Sequence, residues 1–183
     1  MRLFVAVTLG DTIETAATRA LHSLSALAPR ARWVPPANLH LTLSFLGDVD
    51  AERAAAVTQA LTPVGAAHAP LELAIAGGGG FGAPARPRVL WAGVGGDTAA
   101  LGALQADVAA ALKPLGFEPE HRDYVAHLTL ARARNPGGDR ELAKCVQALQ
   151  AAHWGTARVD RLVLFESQGG RYHPHASFPL SAS

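Results

Sequence analysis

Apolar residues alternate along this chain between the spacing of strands and the spacing of helices. Met1 to Leu9 is dominated by an apolar run and reads as a strand. Ile13, Ala17, Leu21, Leu24 and Leu27 then recur at helical spacing, giving a helix with one apolar face to lay against a sheet. Asp11, with Glu14 three residues on, forms a capping-box-like start for that helix, which ends near Pro29. Arg32 to Val34 reads as a short strand interrupted by Pro35 and Pro36, and Leu39 to Leu46 as a strand closed by Gly47 and Asp48. A helix from Asp50 runs through an alanine-rich stretch to about Leu61. Leu71 to Ala76 and Val89 to Val94 form a strand pair around a glycine-rich connection.

In the second half, Asp97 caps a helix whose Leu101, Leu104, Val108 and Leu112 share one face before Pro114 and Gly116 stop it. Tyr124 to Ala131 reads as a strand, Asn135 to Gly138 as a turn, and Asp139 opens a helix reaching about Ala152. Val159 to Glu166 and Tyr172 to Leu180 complete the chain as strands, with Gly169 and Gly170 in a hairpin turn between them. The alternation implies helices packed on sheets and leaves strand order and direction open.

A length of 183 residues suits one domain, or two small lobes sharing a cleft, with a continuous core and no need of metal or disulfide staples. Apolar residues make up 49% and charged residues 17%, which excludes an intrinsically disordered chain. A formal net charge of +1 does not identify a nucleic-acid binder, although it leaves room for a local basic cleft. The single cysteine, Cys145, rules out an internal disulfide framework and reads as a small buried residue in a helix. Leu3 to Leu9 meets Asp11 too early for a signal peptide's hydrophobic region, and no stretch approaches the roughly 20 apolar residues of a membrane span. The expected compartment is the cytoplasm.

The chemistry is carried by a repeat. His40-Leu41-Thr42-Leu43 and His127-Leu128-Thr129-Leu130 are the same tetrapeptide, and no other histidine in the chain has threonine two places later. Each copy lies on an expected strand followed by a polar turn and an Asp-capped helix. The histidines are 87 positions apart, which suits two lobes related by pseudo-symmetry. Strand side chains alternate, so His and Thr at i and i+2 share one face while the two leucines point to the other. If those faces oppose across a cleft, two imidazoles and two hydroxyls converge on a space for one phosphoryl group. An unperturbed imidazole pKa near 6.5 allows one ring to take a proton and the other to give one near neutrality, and the hydroxyls can donate to nonbridging oxygens.

Other features carry less. A zinc site on His40 and His127 lacks a recognisable third ligand, and His173-Pro174-His175 is more simply an edge feature than a metal pair. The run Gly77 to Gly80 lacks the lysine and the strand-to-helix context of a phosphate loop and reads as a flexible connection. Arg86 and Arg88 could touch an RNA backbone, with surface charge the equal alternative.

Together with the paired motifs, several segments give the chain a resemblance to the 2H phosphoesterases, and within them to the bacterial and archaeal RNA 2',3'-cyclic phosphodiesterases long called 2'-5' RNA ligases. These are Arg2-Leu3-Phe4-Val5-Ala6-Val7, Arg32-Trp33-Val34-Pro35, Pro87-Arg88-Val89-Leu90-Trp91-Ala92-Gly93-Val94 and Leu164-Phe165-Glu166-Ser167. The resemblance spans nearly the whole chain. It implies a single bilobal α+β domain over residues 1–183, with two pseudo-symmetric lobes whose antiparallel sheets flank a central cleft and whose helices lie outside. It implies no cofactor, and an RNA end bearing a 2',3'-cyclic phosphate, or a cyclic nucleotide, as partner; the two-histidine arrangement requires no metal, and oligomeric state is left open with a monomer as the plain default.

By position, the resemblance makes His40 the proton donor to the leaving 3'-oxygen and His127 the base that activates water, leaving a 2'-phosphate. Thr42 and Thr129 would bind phosphate. Arg132 matches an arginine that the family often places after the second motif, although ideal alternation turns it away from His127, so a strand end or bulge must redirect it. The same offset in the first motif is Phe45, which could stack on a base but is more often a core residue. Reverse operation as a 2'-5' ligase and a noncatalytic phosphate-binding module both remain open.

Overall fold

Nine strands and four helices follow one another in an order that places the two repeated motifs on different sheets. The structure, a computed structural model, describes residues Met1 to Ser183. The strands are β1 (Arg2–Val7), β2 (Arg32–Trp33), β3 (Leu41–Asp48), β4 (Leu71–Ala83), β5 (Arg86–Gly96), β6 (His127–Arg132), β7 (His153–Val159), β8 (Arg161–Gln168) and β9 (Arg171–Pro179). The helices are α1 (Gly10–Leu27), α2 (Ala51–Ala67), α3 (Thr98–Leu112) and α4 (Arg140–Leu149). One sheet has four strands in the order β3-β1-β8-β9, the other five in the order β2-β6-β5-β4-β7. Every pairing is antiparallel.

The helices cover one face of each sheet. Helices α2 and α3 pack on the four-stranded sheet, α1 and α4 on the five-stranded one. Thus α1 leaves a strand of the first sheet to cover the second, and α3 leaves a strand of the second to cover the first. The two halves exchange helices in the same way. Leu41, Leu43, Leu128 and Leu130 all lie in one cluster of 41 buried residues that draws on both sheets and all four helices. Strand β1 is buried on both faces: Leu3, Val5 and Val7 join that cluster, while Phe4 and Ala6 join a small second cluster with Val163 and Phe165 on the sheet's other side.

Helix ends follow local chemistry only in part. Asp50 and Asp139 cap α2 and α4, each accepting a backbone N–H at 2.8 Å, from Arg53 and Glu141 respectively. The Asp97 carboxylate instead accepts the Glu72 N–H at 2.9 Å and makes no side-chain cap bond to α3, and Asp11 lies inside α1, whose N-cap is Leu9. Helix α2 runs on through Pro63 to Ala67, because Val64 and Gly65 are buried and Gly65 sits too close to β9 for any side chain, an added Cβ lying 2.8 Å from the Pro179 carbonyl oxygen. Packing thus offsets the hydrogen bond that proline removes. In α1, Ile13, Ala17, Leu21 and Leu24 are buried as their spacing predicts, but Leu27 at the last turn is exposed.

Two strands depart from expectation. His153–Val159 is a full strand paired to β4, although His, Gly and Arg interrupt its alternation; Trp154, Ala157 and Val159 are its buried face. Gly77 to Gly80 is not a flexible connection but the middle of β4. Gly77, at φ +64°, forms a bulge there, and Gly79 lets the Trp91 ring lie across the strand, with a Cβ at that position 2.5 Å from the indole. At Gly78 a Cβ would lie 2.5 Å from the Trp91 carbonyl oxygen and 2.8 Å from a Leu149 methyl, so this glycine lets α4 approach. Gly78→Ala is therefore expected to cost about 1–3 kcal/mol in a denaturant melt. An unchanged midpoint would mean that the close packing of α4 contributes nothing.

No helix is long and apolar enough to cross a membrane. Cys145 is fully buried, its thiol 3.4 Å from the Leu24 carbonyl oxygen, and burial pushes its pKa up to about 11, which leaves it an inert packing residue as expected.

Candidate active site

On each motif strand the leucines enter the core and the histidine and threonine turn to the face without helices. His40, Thr42, His127 and Thr129 are all half-buried, and Leu41, Leu43, Leu128 and Leu130 beside them are buried. Both imidazoles are held in the same way. His40 Nδ1 lies 2.7 Å from the Asn38 carbonyl oxygen and His127 Nδ1 lies 2.9 Å from that of Val125, in each case two residues upstream. A carbonyl only accepts, so Nδ1 carries the hydrogen and Nε2 is left as the atom that exchanges protons. Nε2 of His40 is 2.9 Å from the Thr42 hydroxyl, whereas Nε2 of His127 makes no hydrogen bond within the chain. The Asn38 side chain is itself tied to the β8–β9 hairpin, donating to the Gly170 carbonyl oxygen at 3.0 Å.

A matched irregularity follows each motif. In β6, Thr129 faces Trp91 and Ala131 faces Leu90, so Leu130 is an extra residue opposite β5. In β3, Thr42 faces Ala6 and Ser44 faces Val5, so Leu43 is the extra residue. Both bulges fall on the fourth residue of the tetrapeptide. A bulge shifts the alternation by one, and the residue five places after each histidine therefore returns to the histidine face. Arg132 is redirected in this way and is exposed. Its counterpart Phe45 is not a core residue: it is 67% exposed, and its ring lies 6.2 Å from that of Phe4 on the His40 face.

The two strands meet although they belong to different sheets. Burial holds the His40 pKa below its ordinary 6.5; the Asn38 hydrogen bond opposes this, and the positive charge of Arg132 adds to it. Arg132, carried by the second motif strand, is thus felt electrostatically at the histidine of the first. Aromatic rings frame both imidazoles. Phe4 lies 4.9 Å and Tyr172 5.2 Å from the His40 ring, and Phe81 lies edge-on to His127 at 4.9 Å, backed by Trp91.

His40, Thr42, His127, Thr129 and Arg132 lie on or just before β3 and β6, the two strands that meet, and the β6 bulge turns Arg132 to the His127 face. Asn38, Phe4, Tyr172 and Phe81 were not legible as site residues, because a backbone carbonyl and ring stacking across sheets leave no local pattern; only Phe45, at the offset of Arg132, carried a signal. His173 and His175 lie exposed on β9, an edge strand, with His175 at a register shift. No three His, Cys, Asp or Glu side chains converge on one point anywhere in the chain.

Residues 10–177 match the model of the 2'-5' RNA ligase superfamily. This chain belongs to that family. An RNA 2',3'-cyclic phosphodiesterase of Geobacillus stearothermophilus is 35% identical over 97% of the chain, which spans only 56% of that protein's length. Proteins of the same name from Methanothermobacter thermautotrophicus and Archaeoglobus fulgidus are 32% and 37% identical, over 92% and 87% of the chain and 90% and 86% of their own lengths. Among solved structures, a Thermus thermophilus protein superposes with a TM-score of 0.77 and E. coli LigT, complexed with 3'-AMP, with 0.72; each is 24% identical and is matched over 99% of this chain and 98% of its own. The α+β architecture with two antiparallel sheets is thus that of the LigT-like 2H phosphoesterases, as the family resemblance implies.

Proposed function

We propose that this 2H phosphoesterase hydrolyses the 2',3'-cyclic phosphate end of an RNA or nucleotide to a 2'-phosphate, using His127 as general base and His40 as general acid. The observation that carries this reading is the duplicated geometry: two imidazoles on strands that meet, each fixed through Nδ1 to the carbonyl two residues upstream, which leaves Nε2 of each as the atom that exchanges protons. Relatives named RNA 2',3'-cyclic phosphodiesterase, covering most of the chain, support the substrate.

In the forward reaction His127 Nε2 takes a proton from water as the water oxygen bonds to phosphorus. The bond from phosphorus to O3' breaks, and His40 Nε2 delivers a proton to O3', leaving a 3'-hydroxyl and a 2'-phosphate. Thr129, Thr42 and Arg132 donate to the nonbridging oxygens, whose charge grows in the transition state. Burial, and to a smaller extent the charge of Arg132, disfavours a protonated His40 in the free protein, and an incoming phosphate anion acts in the opposite direction, as a negative charge beside the ring. A 5'-hydroxyl in place of water would form a 2'-5' linkage by the same steps. The shared core cluster supports treating residues 1–183 as one bilobal domain.

The direct test is incubation with an RNA oligonucleotide ending in a 2',3'-cyclic phosphate, in excess EDTA, with identification of the product end. A 2'-phosphate is expected. No conversion of RNA or of a cyclic mononucleotide, with binding retained, would assign the cleft to phosphate recognition without turnover.

A further inference from the structure

At the end of β6 remote from His127, the chain gathers arginine. Arg32 faces Arg132 across the β2–β6 pair, Ala133 donates to the Arg88 carbonyl oxygen, and the Arg134 guanidinium donates to the Arg30 carbonyl oxygen at 2.8 Å. Beside them, Arg30, Arg86, Arg134 and Arg140 line an open cavity of about 460 Å³. None of these four is in an ion pair; the three ion pairs of the chain involve other residues. Asp139 and Glu141 also line the cavity, but one Asp139 oxygen is committed to the Glu141 amide and Glu141 Oε2 is closed off from solvent without a partner. The charge presented to solvent is therefore chiefly guanidinium. In a chain whose formal net charge is only +1, this is a local concentration that the composition does not show.

We propose that this arginine-lined cavity binds the phosphodiester backbone of single-stranded RNA whose cyclic end occupies the cleft, an inference that rests on the phosphodiesterase reading. Guanidinium forks match phosphate geometry, and unpaired arginines need not break an ion pair to engage it. The position suits such a path. The six residues of β6 from His127 to Arg132 span about 17–20 Å, and Arg134, two residues beyond the strand, lines the cavity. A stacked strand covers about that distance in six nucleotides at 3.4 Å each. The site thus selects oligonucleotide over mononucleotide, which the cleft alone does not.

The test compares wild type with the triple variant Arg30→Gln, Arg86→Gln and Arg140→Gln, three side chains that make no hydrogen bond within the chain. Substrates are a 12-nucleotide RNA with a 2',3'-cyclic phosphate end and 2',3'-cyclic AMP. The triple variant is expected to raise KM for the 12-mer at least tenfold while leaving its kcat, its melting and turnover of cyclic AMP unchanged. Each lost contact lowers the slope of log affinity against log salt by about 0.7, so the 12-mer should lose about 2 from that slope. An unchanged KM for the 12-mer, or an equal rise for cyclic AMP, would overturn the proposal. Anisotropy with a 12-mer lacking the cyclic phosphate separates this from the activity: salt-dependent binding weakened in the variant supports the cavity even if neither substrate turns over. Affinity for inorganic phosphate with no gain for the 12-mer would make it a small-anion site and reject the RNA assignment.

Discussion

Alanine at His40 or at His127 is expected to lower turnover of a cyclic-ended RNA by at least roughly 10²-fold, the scale of losing a general acid or base, or about 2.7 kcal/mol of transition-state stabilisation. The two losses should not add. Each proton transfer needs the other for the P–O3' bond to break in step with attack, so the double variant should be nearly as active as either single one. Folding should survive, because both rings lie on the faces without helices and neither belongs to the 41-residue core. The His40 ring packs on Phe4 and Tyr172, so His40→Ala should lower the melting temperature somewhat more than His127→Ala, whose ring meets only Phe81 edge-on. Steady-state rates beside thermal melts decide the matter. A near-normal rate in either variant sinks the acid–base assignment, and loss of cooperative melting in both would make the histidines structural.

The parts of the site that the sequence shows and those it hides differ in range. The identity of the two tetrapeptides is a local signal, and the alternation of strand side chains converts it directly into two polar faces backed by Leu41, Leu43, Leu128 and Leu130, all of them buried. The Asp50 and Asp139 caps are equally local. What alternation gets wrong is the second residue after each motif. It turns Arg132 and Phe45 toward the core, and only the extra residues at Leu130 and Leu43, which exist by virtue of pairing with β5 and β1, bring them back. The same holds for β7, whose strand character comes from pairing with β4 rather than from its own broken pattern, and for the glycines of β4. There the absence of side chains reads as flexibility in the sequence, but it serves the approach of Trp91 and α4. Which sheet each strand joins was not legible at all: β8 and β9, last in sequence, complete the sheet begun by β1.

Arg132→Ala should show two separable effects. In the role proposed for it, as a donor to the nonbridging oxygens, its removal is expected to lower kcat by about 10²-fold. It also removes a positive charge that opposes protonation of His40. His40 lies below 6.5 in the free protein mainly through burial, with Arg132 pressing in the same direction. The kcat/KM profile reports the free protein, so one of its limbs should fall below pH 6.5, and in Arg132→Ala that limb should move to higher pH. Arg132→Lys keeps the charge and loses the planar fork. Its limb should stay near that of wild type while its rate recovers only in part. A loss of rate in the alanine variant with no movement of the limb would mean that Arg132 acts on the substrate without facing His40. A limb that moves alike in both variants would trace the shift to altered burial rather than charge, since lysine carries the same charge in the same place.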